Sequence, residues 1–215
     1  MFKKIIQKNP VVSLSLLCGV VYFMSYMTRI NYSAVLVEIV AEGYSKAAAS
    51  AGVTGLFITY GIGQLVSGVL GDRFHPKILI AGGLMVSAAM NILIPFCGSA
   101  AAMTVVWCIN GFAQAMMWPP LVKIMSVYLT DDQYKKCCVV TSWGGSLGTI
   151  AIYLIAPVCI SISGCRLLFY FTSAAAAIMS IVYLWSFKNI EEVMTPREPL
   201  SRDIHKNEKK NLIQK

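Results

Sequence analysis

Arg29 is the residue whose type and setting ask for a chemical explanation. It stands inside a long apolar stretch, and a guanidinium there costs several kcal/mol, about 2.5–3.5 on insertion scales, unless it is paired or faces a watery cavity. Tyr22 and Tyr26 precede it at i, i+4, i+7 spacing, so in a helix the three side chains share one face. Two phenols and one fixed, planar cation on a common face suit a small, oxygen-rich anion. The competing reading puts Arg29 near the outer interface, with its head snorkelling to water. No acid answers it: Glu38 and Glu42 fall at the outer end of the same stretch, and no other acid lies deep in an apolar run. A proton-coupled carboxylate relay is therefore not expected here. Paired carboxylates, a nucleophile triad and a phosphate-cradling glycine loop are also missing, so no enzyme activity is assigned. The seven cysteines show no Cys-x-x-Cys spacing and read as small apolar packing residues, with no metal or cofactor expected.

Positioning such a face requires membrane helices, and the composition supplies them. Apolar residues make up 57% of the chain and charged residues 13%, against about a quarter charged in soluble domains. Uncharged runs of about 18 residues or more mark spans. The first is expected from Asn9 as cap and Pro10 in the first turn, past Met27 toward Val37. The second runs from near Ser45 to Leu70, the third from Pro76 to about Cys97, and the fourth from about Ala102 to Tyr128, broken at Pro119-Pro120. Thr130-Asp131-Asp132-Gln133 has the form of a capping box and opens a fifth span ending near Ile160. A sixth runs from about Arg166 to Phe187. The fold class is all-α membrane protein.

Lysine and arginine set the expected orientation. Three lie before the first span, two (Arg73, Lys77) after the second, two (Lys135, Lys136) after the fourth and seven in the tail, fourteen in all against Lys46 and Arg166 on the other side. Both termini are thus expected in the cytoplasm, in a multi-pass protein of the inner (plasma) membrane. The domains are a cytoplasmic amino terminus (1–10), the six-span unit (11–187) and a charged cytoplasmic tail (188–215) with almost no apolar periodicity, read as disordered or a linker. The lysines before the first span resemble a secretory signal, but the apolar run is too long and lacks an A-x-A site, so it is read as a retained span. The net charge of +8 is dispersed over span ends, which argues against nucleic acid as a partner.

Gly68-Val69-Leu70-Gly71-Asp72-Arg73-Phe74-His75-Pro76-Lys77, between the second and third spans, resembles the major facilitator loop signature. Gly68, Asp72, Arg73 and Lys77 are read as a conformational latch, the glycine for close helix approach and the ions joining helix ends. Lys123, near the cytoplasmic end of the fourth span, is read as pairing with Asp72 or snorkelling. The kink at Trp118-Pro119-Pro120 is either a pocket wall or packing, and Gly144, Gly145 and Gly148 are read as close-packing points.

Taken in order, Tyr26-Met27-Thr28-Arg29-Ile30-Asn31-Tyr32, Tyr60-Gly61-Ile62-Gly63-Gln64, the loop above, Gln114-Ala115-Met116-Met117-Trp118-Pro119-Pro120 and Thr141-Ser142-Trp143-Gly144-Gly145 form a specific set. Over about residues 10–190 the set resembles the amino-terminal half of the organophosphate:phosphate antiporters, the family of bacterial glycerol-3-phosphate and hexose-phosphate transporters. The resemblance implies a 3+3 inverted repeat, alternating access around a midplane site, and a second six-helix half that supplies a second arginine opposite Arg29. The candidate substrate-binding residues are Arg29, Tyr22, Tyr26, Gln64, Trp118 and Trp143, the implied partners a small anionic substrate and the lipid bilayer. Two departures stand out. Gln64 occupies the place of a pocket lysine, and Leu147 that of a pocket histidine, which weakens a phosphate-ester assignment. Three readings stay open: a partial or truncated transporter of a phosphate ester or phosphate, a membrane sensor of sugar phosphates, and a non-functional six-span fragment.

Overall fold

The computed structural model describes residues 8–197; most of the charged tail lies outside the described residues, as does most of the segment before the first span. Eight α-helices build the described bundle: α1 (Pro10–Ala34), α2 (Leu36–Ala41), α3 (Lys46–Arg73), α4 (Pro76–Leu93), α5 (Ala100–Ala115), α6 (Trp118–Tyr128), α7 (Asp131–Ser163) and α8 (Cys165–Glu191). They form six spans long and apolar enough to cross a bilayer: Pro10–Ala41, Lys46–Arg73, Pro76–Phe96, Ala100–Tyr128, Asp131–Ser163 and Cys165–Glu191. The first joins α1 to α2, and the fourth joins α5 to α6.

Local chemistry fixes most of the ends. Ser45 Oγ accepts from Ala48 N–H at 3.2 Å and Ser99 Oγ from Ala102 N–H at 3.2 Å, each satisfying an orphan donor of a first turn. Thr130 N–H donates to Gln133 Oε1 at 3.0 Å, the reach-back arm of the capping box. Asn9 departs from expectation: it stands at the cap position but its side chain makes no cap bond. Pro10 and Pro76 sit in first turns, where a missing N–H breaks nothing.

The remaining differences have local causes. The first span is interrupted at Val35, just after Asn31 Oδ1 takes the Tyr32 N–H at 2.9 Å and competes with the backbone ladder. The fourth breaks before its prolines, at Met116-Met117, so Pro119 and Pro120 fall in the first turn of α6. Helix α7 continues past Ile160 to Ser163, where Gly164, at a φ of 76° that favours glycine, turns the chain straight into α8. Helix α8 continues past Phe187 to Glu191.

The most extensive helix pairings are α1 with α7, α3 with α5, and α4 with α8. Numbered by span, these are one with five, two with four, and three with six. Exchanging the first three spans for the last three converts the first pairing into the second and returns the third to itself, as a 3+3 repeat requires. The first two pairs approach closely because one member offers no side chain at the contact. A methyl group on Gly144 would strike the Gly19 carbonyl, and one on Gly111 the Leu56 carbonyl. Gly68 does not behave this way, contrary to expectation: a methyl group there meets nothing within 4 Å, because it lies on the exposed arc of α3. The second and fifth spans are also the least covered, with 17% and 28% of their apolar windows buried, against 44–50% for the others.

Candidate functional site

Arg29 lies about 5 Å from the middle of the 32-residue first span and about 18 Å from its far end at 1.5 Å per residue. It is 6% exposed. A side chain held there, buried and well inside the span, weighs against the snorkelling reading. Its guanidinium carbon sits 4.4 Å from the centre of the Tyr26 ring and 4.6 Å from that of Tyr60, two cation–π contacts. One terminal nitrogen donates to Ser25 Oγ at 3.3 Å. Arg29 Nε is buried and has no hydrogen-bond partner among the described residues.

The i, i+4, i+7 face assembles in space and gains a member from the fourth span. Tyr22 packs edge-on against Tyr26, with ring centres 5.0 Å apart, and against Trp118, 4.9 Å away. Trp118 arrives there because α6 starts afresh after the break. These rings wall a groove of about 560 Å³, completed by Ser142, Ser146, Thr149 and Ile150 of α7. Gly145 lets α7 lie flat beneath them: a methyl group on it would stand 3.0 Å from Tyr26 and 3.1 Å from Tyr22.

Arg29 is not itself among the groove's lining residues and lies behind the Tyr26 ring, and two further candidates stand apart. Trp143 is 69% exposed and is not among the residues that line the groove, although Ser146 and Ile150, at i+3 and i+7, stand on the same side of α7. Gln64 touches neither Arg29 nor the groove wall; its Nε2 donates to Tyr60 Oη at 2.8 Å.

Behind Arg29 runs a buried polar network that sequence reasoning missed. Ser25 Oγ donates to Gln114 Oε1 at 2.6 Å, and Gln114 Nε2 donates to Thr28 Oγ1 at 2.9 Å and to Ser87 Oγ at 2.8 Å. Asn110 Nδ2 and Asn91 Nδ2 both donate to the Thr28 carbonyl, at 3.0 and 3.1 Å. Asn31 Nδ2 extends the chain to Asn91 and Thr172. Four spans are thus tied together at the level of Arg29 by amides and hydroxyls that hydrocarbon would otherwise leave unsatisfied. Gln114 stood within a quoted motif, but its partners on other spans could not be read from spacing.

The residues read as a latch gather at the end of the bundle where the first span starts. Lys123 Nζ lies 2.9 Å from Asp72 Oδ1 and donates to the Gly71 carbonyl at 2.8 Å, joining the fourth span to the second. Lys77 Nζ and His75 Nε2 lie 2.7 and 3.1 Å from the two oxygens of Glu191, joining the third span to the sixth. Arg73 closes the last turn of α3, where the helix dipole favours a cation. Beyond α8, Arg197 N–H donates to the Val127 carbonyl and its guanidinium to the Leu129 carbonyl, so the segment up to Arg197 packs over the end of α6. The tail reads in the sequence as disordered or a linker; residues 188–191 are the last turn of α8 and Arg197 is hydrogen-bonded, so disorder does not describe residues 188–197.

Comparison with known proteins places this architecture. At 27% identity over 173 residues, the chain is similar to the "Probable hexose phosphate transport protein" of Chlamydia muridarum, covering 79% of this chain and 37% of that protein. It is 24% identical over 169 residues to the "Membrane sensor protein UhpC" of Escherichia coli (strain K12), covering 78% of this chain and 38% of that one. The chain therefore spans between about a quarter and two fifths of the length of the curated relatives it matches. Among solved structures, a bacterial homologue of the human lysosomal transporter Spinster, inward-facing and unoccupied, superposes with a TM-score of 0.70 at 14% identity, over 82% of this chain and 43% of that one. A peptide transporter in complex with alafosfalin gives a TM-score of 0.70 at 18% identity, over 95% and 44%. The sequence profile of the Major Facilitator Superfamily matches residues 18–213, and the chain, with its six spans in a 3+3 arrangement, belongs to that superfamily.

Proposed function

We propose that this chain forms one half of an alternating-access carrier for a small organic anion, a phosphate ester or phosphate, with Arg29 as the anion anchor. The observation that carries this reading is the burial of Arg29 at mid-span with no acid beside it and its Nε unpartnered among the described residues. A desolvated cation in that state is completed by an anion from outside the protein. Tyr22, Tyr26 and Trp118 are the aromatic wall against which the ligand rests, and a second six-helix half supplies the facing wall. The exposed arcs of α3 and α7, which include Gly68 and Trp143, are the surfaces offered to that half. Asp72, Arg73, Lys77 and Lys123 work as the latch on the cytoplasmic side, with both termini there. Similarity to hexose phosphate and glycerol-3-phosphate carriers supports the substrate class.

The E. coli relative, a membrane sensor, supports a second reading in which the same anion site reports a sugar phosphate without moving it. One experiment separates the two. The chain is reconstituted with a carboxy-terminal six-span half from a relative, and equilibrium binding and vesicle uptake of inorganic phosphate, glycerol 3-phosphate and glucose 6-phosphate are measured. Binding with uptake is the result expected of a carrier, and binding without uptake favours the sensor. Absence of binding to any of the three overturns the anion reading.

A further inference from the structure

Gln64 makes no hydrogen bond to the Arg29 guanidinium; its side-chain amide is engaged by Tyr60 instead. Four residues separate it from Tyr60 on α3, so both lie on one helix face, and its amide donates to the Tyr60 hydroxyl at 2.8 Å. That bond holds the Tyr60 ring against Arg29, from a different span than Tyr26. A ring meets a guanidinium over its π face, whereas the N–H donors point outward in the plane. Two rings therefore hold the cation without consuming a donor, which agrees with one nitrogen on Ser25 and Nε left open.

We propose that Tyr60 is a positioning residue for Arg29, and that Gln64 acts through the Tyr60 hydroxyl and does not touch the ligand. The clamp fixes the guanidinium plane and shields it from water while its in-plane donors remain available. This deepens the anion reading and rests on it for its purpose, but the geometry is testable without any ligand.

The test follows modification of Arg29 by phenylglyoxal in the full-length chain in lipid nanodiscs, with adducts at each arginine resolved by mass spectrometry. Arg166, at the far end of the bundle, is the internal control. Tyr60→Leu removes the ring and is expected to raise the rate at Arg29 by about thirtyfold, the weight of one desolvated cation–π contact. Tyr60→Phe keeps the ring and frees it from Gln64, raising the rate by about threefold. Gln64→Leu matches Tyr60→Phe, and adding Gln64→Leu to Tyr60→Phe changes nothing further, because both remove the same hydrogen bond. The proposal is overturned if Gln64→Leu has the same effect in the wild-type and Tyr60→Phe backgrounds, if it has none in either, or if neither Tyr60 variant changes the rate at Arg29 with Arg166 steady. Inorganic phosphate binding is measured in parallel on the chain reconstituted with a carboxy-terminal six-span half. Failure to bind with the rate pattern intact sinks the anion reading and leaves the clamp standing.

Discussion

Gly144 and Gly145 are neighbours on α7, yet methyl groups on them meet different obstacles. At Gly144 the obstacle is the Gly19 carbonyl and its adjoining backbone, which moves only if α1 and α7 separate. At Gly145 it is the edges of Tyr26 and Tyr22, 3.0 and 3.1 Å away, some 0.5 Å inside ordinary carbon contact and relieved by small ring rotations. Gly144→Ala is therefore expected to cost about 1–3 kcal/mol by overpacking. That lowers the unfolding midpoint in detergent by roughly 2–12 °C, at about 2–4 °C per kcal/mol for a chain of this size. Gly145→Ala costs less than about 1 kcal/mol because flexible rings yield, but it displaces the aromatic wall and weakens ligand binding. The assay is thermal unfolding of purified wild type and both variants, followed by anion binding on those that stay folded. A Gly144→Ala midpoint equal to wild type would refute the close approach of α1 and α7. Wild-type binding in Gly145→Ala would refute the role given to Tyr22 and Tyr26.

Asp72→Asn breaks the pair with Lys123 at the bundle rim, so it should slow exchange in the assembled carrier with affinity unchanged, at a stability cost below about 1 kcal/mol; a large loss of equilibrium affinity would contradict this. Asn110→Leu removes bonds to Ser87 and the Thr28 carbonyl and should lower stability by about 1–3 kcal/mol, at roughly 0.6–1.7 per interhelical bond in a membrane, read as a fall in the unfolding midpoint. Cysteines placed at Ser99 and Ser163 should label from outside intact cells and one at Lys135 should not, and the reverse pattern would sink the proposed orientation.

The membrane class and six spans were legible because composition and run length report directly on burial in hydrocarbon, and the motif set led to the right superfamily. Turn chemistry served well where a side chain acts on its own helix, as at Pro76 and Gln133, whereas the caps at Ser45 and Ser99 were not singled out. Asn9 misled because a favourable residue type does not guarantee the bond. The Tyr22, Tyr26 and Arg29 face could be seen because all three stand on one helix, where spacing alone fixes the face. Tyr60, Ser25 and Gln114 could not, since they meet Arg29 or its partners through tertiary packing of several spans. Tyr60 and Gln64 at i, i+4 within a quoted motif were the available hint. Gly68 and Trp143 were read from motif position, and in the bundle both are exposed, so no packing among the described residues bears on their roles.

The central claim is that Arg29 holds an anion through its planar donors, and affinity for inorganic phosphate and glucose 6-phosphate in the reconstituted wild type, Arg29→Lys and Arg29→Ala tests it most directly. Lysine keeps the charge but loses the fork. A loss of about 1.5–3 kcal/mol, the worth of a hydrogen bond to a charged group, is roughly 10- to 150-fold in affinity. The account predicts a loss of that size for Arg29→Lys and a larger one for Arg29→Ala, with insertion intact. Wild-type affinity for both anions in both variants would contradict it.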